Sequence, residues 1–108
     1  MQDALAQLES TYLTLQPQIG MLLAGCQTQA DRDKITTQFV QARAAYWSCV
    51  NKAFHDDDPA VVTLTNELTA ANTEMKQAVA QLGDIKKTID TITQVVTIAT
   101  SLASKVIP

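Results

Sequence analysis

The run His55-Asp56-Asp57-Asp58 is the one stretch of this chain that carries ligand chemistry, an imidazole followed by three carboxylates. Such a set has the donors for a divalent cation, but consecutive residues rarely converge on one point. The calcium loops that achieve convergence alternate their ligands and place a glycine in the turn, and neither feature is present. The run reads instead as a helix-to-helix turn. His55 lies near a helix carboxyl end and the aspartates near the next amino end, each suited to the local dipole. No metal ligand and no cofactor is expected. With its single His on a turn, the chain offers no Ser or Cys a positioned base, so no catalytic residue is assigned and the chain is expected not to be an enzyme. A carboxylate site inside a helical bundle needs acids facing inward. Glu67, Glu74 and Asp90 all lie off the apolar seam.

Two cysteines complete the set of reactive side chains. Leu23-Ala24-Gly25-Cys26 matches a lipoprotein cleavage box, but Asp3 and Glu9 precede it, no Lys or Arg does, and Pro17 interrupts the run. A leader needs a basic start and an unbroken apolar stretch, so Cys26 reads as a core cysteine near a helix end. If the first two helices form a hairpin turning near Thr28, Cys26 and Cys49 are separated by roughly 30 Å of helical rise. A disulfide tolerates about 7 Å between Cα atoms. Both thiols are therefore expected to be reduced and buried.

The elements that hold these residues follow from the apolar spacing. Leu5, Leu8, Tyr12, Leu15, Ile19, Leu22 and Cys26 recur at intervals of three and four, and so do Ile35, Phe39, Ala42, Tyr46, Cys49 and Ala53. A third series runs Val61, Leu64, Leu68, Ala71, Met75, Ala78, Leu82, Ile85, Ile89, Ile92, Val96, Ala99, Ala103 and Val106. Spacing of this kind belongs to helices packed side by side at a shallow angle. Only three Gly and three Pro in 108 residues argue against a fold of many short strands. The fold class expected is all-α: one antiparallel, coiled-coil-like helical bundle over 1–108, with helices near 3–25, 29–54 and 59–107.

Helix ends are marked by chemistry. Gly25 closes the first, Thr28 with Asp31 opens the second as a capping box, and Asp58-Pro59 opens the third. Pro17 is expected to kink the first helix without ending it. At Gly83-Asp84 two readings compete. A glycine stop and an aspartate cap would give an up-down four-helix bundle. The apolar phase, however, passes unbroken through Leu82 and Ile85, and Lys86 and Lys87 would sit where a helix dipole disfavours cations. The expectation is therefore one long helix, with the up-down bundle as the alternative. Tyr46, Trp47, Val50, Phe54 and Val40 form a second apolar strip on the second helix, which is expected to be central.

Composition narrows the function. Apolar residues make up 46% of the chain and charged residues 18%, and the net charge is −3. An isoelectric point near 4.8 offers no basic surface for a phosphate backbone, so nucleic acid is not an expected partner. From Thr91 to Ser104 no residue is charged, yet the run is too short and too hydroxylated for a membrane span. The expected role is a protein–protein interaction or assembly module, an adaptor that forms homo-oligomers or grips a protein partner. Its interaction residues would be Ile85, Ile89, Ile92, Val96, Ala99 and Leu102 on an uncovered last helix, with Trp47 as an anchor if exposed. The alternative is a membrane-active component whose segment 88–107 binds lipid. A cytoplasmic location is expected.

Overall fold

A computed structural model describes residues 3–55, 57–81 and 83–107. Asp56 of the acidic turn and Leu82 of the third apolar series lie outside the described residues. Among the rest the chain is helical with no strand: α1 (Asp3–Leu15), α2 (Ile19–Gly25), α3 (Gln29–Trp47), α4 (Pro59–Gln81) and α5 (Ile85–Ala103). A single 3-10 turn over Gln16–Gln18 joins α1 to α2 end to end, so four helical rods pack together in a body of 43 × 21 × 19 Å.

Pro17 has no N–H to donate, and its ring crowds the turn before it. The response is local. Leu15 (φ −80°, ψ −39°), Gln18 (−100°, −5°) and Ile19 (−59°, −42°) all stay in the right-handed region. The helical path therefore continues through the proline, and Leu15 and Leu22 remain buried on either side of it. The caps expected at two other ends are also formed. The Thr28 hydroxyl accepts from the Asp31 N–H at 3.1 Å, and an Asp58 carboxylate oxygen accepts from the Ala60 N–H at 2.8 Å.

Two boundaries differ from expectation. The long third helix does not form: α4 ends at Gln81 and a new helix starts at Ile85. Asp84 caps that helix, its carboxylate accepting from the N–H groups of Lys86 and Lys87 at 3.1 and 3.4 Å. A cap of this kind contributes about 1 kcal/mol, and its negative charge offsets the two lysines in the first turn. An unbroken apolar phase does not argue against the reversal. In a hairpin both helices turn the same core face inward on either side of a short link.

The second difference is at α3, which stops at Trp47 rather than near residue 54. Ser48, Cys49, Val50 and Lys52 close tight turns, and Asn51 adopts φ 65°, a left-handed conformation that asparagine tolerates better than most residues. The chain then folds under the bundle. Phe54 is buried, and the Ile107 N–H donates to the Ala53 carbonyl at 2.8 Å.

Direction follows from the ends. A Cβ added at Gly25 would meet Ile85 Cδ1 at 3.7 Å, whereas the Cys49 thiol faces the Ala103 carbonyl at 3.8 Å. The start of α5 is thus beside the end of α2, and its far end is beside the end of α3. The helices alternate up and down. Extended contacts join α1 to α3, α3 to α5, α5 to α4 and α4 to α1, so α3 and α4 occupy opposite corners. Their connection crosses one end of the bundle, which explains its length. The second helix, expected to be central, meets two neighbours, α1 and α5, but no helix is central in this four-cornered arrangement: α1 touches α3, α4 and α5, and α5 touches α1, α3 and α4. Helix α5 buries Thr88, Ile89, Ile92, Val95, Val96, Ala99 and Leu102, a broader face than any other helix.

This placement has a direct consequence for mutation. Changing Ile89 and Val96 together to Glu puts two charges in the centre of the bundle, each costing several kcal/mol. That is comparable with the whole stability of a small domain, roughly 5–15 kcal/mol. The double variant is expected to lose most of its helical circular dichroism. Full helicity accompanied only by a change of mass in solution would contradict this fold.

Candidate functional site

The residues expected to form an exposed interface do not share a surface. Ile89, Ile92, Val96, Ala99 and Leu102 are all at most 4% exposed and belong to the core of their own chain. Ile85 is half-buried over Gly25. The expectation of an uncovered stripe is corrected, because the reversal after Gln81 folds α5 back among α1, α3 and α4. Trp47 is different: it is 56% exposed and lies on α3, apart from that stripe.

The outer side of α3 carries the two most exposed large apolar side chains among the described residues. Its inward positions are Ile35, Ala42 and Ala45, and the small alanines let it pack closely against its neighbours. On the opposite side Val40 and Trp47, two turns apart, are each 56% exposed. Phe39 and Tyr46 have the same spacing and lie half-buried along the α1 edge. Tyr12 of α1 stacks on both, with ring centroids 5.9 Å from Phe39 and 5.8 Å from Tyr46. Tyr46 then meets the Trp47 indole at 5.5 Å with the rings tilted by 58°. Its hydroxyl donates to a Glu9 carboxylate oxygen at 2.8 Å. Tyr46 is thus fixed at both ends, and it props the one tryptophan of the chain at the surface.

On its other edge α3 forms a shallow groove with α5, lined by Gln41, Ala44, Ala45, Ser48, Thr100, Ala103 and Ser104. None of these residues is charged. Sequence reasoning placed Val40 and Trp47 on one strip, but Val50 and Phe54 leave it because the helix has ended. The aromatic contacts of Tyr12 were not foreseen. The signal available was the shared seven-residue spacing of Phe39/Tyr46 and Val40/Trp47.

The other reactive groups serve the fold. Both cysteines are free and buried, one near each end of α5, whose length of 19 residues separates them by roughly 27 Å. Burial pushes the Cys26 thiol up, nearby Asp31 adds to this, and Arg32 opposes it. A raised thiol is a poor nucleophile at neutral pH. Among the described residues no group of three or more His, Cys, Asp or Glu could hold a metal ion. No helix among them is long and apolar enough to cross a membrane.

One polar node lies inside the bundle. Asn72 of α4 donates to the Gln7 backbone carbonyl and side-chain oxygen at 3.0 and 3.1 Å. It accepts from the Thr11 hydroxyl at 2.7 Å. This buried amide fixes the level at which the parallel helices α1 and α4 meet, as a single polar core residue does in coiled coils. No protein-family model, curated protein or solved structure matches the chain.

The prop beneath Trp47 can be read by titration. The hydrogen bond to Glu9 raises the Tyr46 pKa above 10.0, with burial, the Glu9 charge and Tyr12 adding to the effect. The neutral phenol is favoured in the folded state. The stability it contributes is complete below the unfolded value and is lost as pH rises through the folded one. Ultraviolet absorbance should show a tyrosine ionising above the ordinary value, and Glu9→Gln should bring it back toward that value. An unchanged titration would contradict the Tyr46–Glu9 contact.

Proposed function

We propose that this chain is a non-enzymatic protein-binding module whose recognition surface is the outer side of α3, centred on Trp47 and Val40. The observation that carries this reading is the 56% exposure of Trp47 with the Tyr46 ring packed against one side of it. Tryptophan is among the residues enriched at the energetic centres of protein interfaces. A ring fixed before binding gives up less side-chain freedom on association. Val40 extends the apolar patch by two turns, and the uncharged groove beside Ala44 and Ser48 continues it toward α5. The partner fitted to this surface is a protein offering an apolar pocket to the indole.

In this reading the stripe of α5 is the scaffold and α3 is the surface. A photo-crosslinking amino acid at position 40 or 43 is expected to trap a discrete protein adduct in cells, while the same probe at Thr69 on α4 traps none. Trp47→Ala should leave the fold unchanged and weaken that association by about 30-fold or more, as expected of an anchor truncation above 2 kcal/mol. Equal labelling at all three positions, or adducts indifferent to Trp47→Ala, would contradict the proposal.

A further inference from the structure

The reversal between α4 and α5 divides an apolar repeat that has the form of one continuous seam. Val61, Leu68 and Met75 on α4 and Ile89 and Val96 on α5 are all buried, and their numbers are separated by multiples of seven across the turn. A hairpin does not require this. Its two helices are rotated independently by the link, so any phase would serve. A strict seven-residue phase is required where two long helices lie antiparallel along their whole length.

At the link one residue favours the hairpin and the other does not demand it. Gly83 has nothing within 4 Å of where a Cβ would be, and its φ lies outside the left-handed region, so glycine is not demanded there. Asp84 holds the hairpin through its cap on Lys86 and Lys87. Lys86, Lys87 and Asp90 all lie within α5, so their spacing is the same whether or not the helix continues through Gly83.

We infer that a second copy of this chain can take the place of α5, giving a domain-swapped dimer. In it α4 and α5 join into one helix through Gly83, and each α5 packs into the α1, α3 and α4 of the other copy. The contacts of α5 are the same in both states, and only the link changes. Exchange of an identical element between protomers is a low-cost route to a dimer, and short hinges invite it. Two long helices then run antiparallel across the two-fold axis, the arrangement for which the seven-residue phase is suited. This dimer leaves Trp47 and Val40 free, so it stands apart from the recognition surface on α3.

The test uses the full chain and two variants with opposite effects. Gly83→Ala with Asp84→Ala removes the helix-weakening residue and the cap from both copies. It should raise the dimer association constant by roughly a hundredfold or more, at unchanged helicity, in light scattering. Inserting Gly-Gly-Ser after Gly83 lengthens the hinge and should abolish the dimer while keeping the fold. A double variant that stays monomeric, whether folded or unfolded, would overturn the inference. So would a dimer indifferent to the insertion, since that is face-to-face association.

Discussion

The architecture depends on covering the apolar face of α5. That face, from Thr88 to Leu102, is wide enough to require neighbours on more than one side, and α1, α3 and α4 supply them. The requirement is met within one chain because the backbone reverses between Gln81 and Ile85. Asp84 makes the reversal stable by giving the first turn of α5 a charged acceptor where two lysines would otherwise weaken it. With α5 at one corner, α3 and α4 flank it on either side and α1 lies across the diagonal. The connection from α3 to α4 must then cross the end of the bundle, and the turns around Asn51 and the burial of Phe54 follow from that crossing.

Polar groups are arranged to cost little in this core. Among the described residues no buried side-chain oxygen or nitrogen lacks a partner. Threonines on α4 and α5 satisfy their hydroxyls on the carbonyl one turn earlier, as Thr65 does on Val61 and Thr97 on Thr93. This explains how a chain with few charges can use hydroxyl residues on both wet and half-buried faces. Asn72 is the exception that reaches across helices. Its bonds to Gln7 and Thr11 set the level of α4 against α1, which hydrophobic contacts alone specify poorly.

Much of the fold was legible in the residues. Thr28 and Asp58-Pro59 act as the caps they resemble, and the spacing of Leu8, Leu15 and Leu22 marks a buried face that survives Pro17. The link at Gly83 was not legible from periodicity, because a short hairpin and a continuous helix both place apolar residues on the core side of the junction. Local chemistry at Asp84 was the better guide, since a carboxylate can cap backbone N–H groups and neutralise Lys86 and Lys87 together. The end of α3 was missed for a similar reason. Val50 and Phe54 keep a helical spacing although Asn51 turns the chain away. The uncharged apolar stripe of α5 has the composition of an interface, and only the reversal after Gln81 makes it core. The most exposed large apolar side chains among the described residues, Val40 and Trp47, are on α3.

A distance between the two ends of the α4–α5 unit tests this account most directly. Spin labels at Val62 and Ser101, in dilute monomeric protein, report whether α5 returns beside the start of α4. The hairpin predicts a separation below about 20 Å, since packed helix axes lie 8–10 Å apart. A dominant distance near 58 Å, the rise of roughly 39 residues of continuous helix, would contradict it.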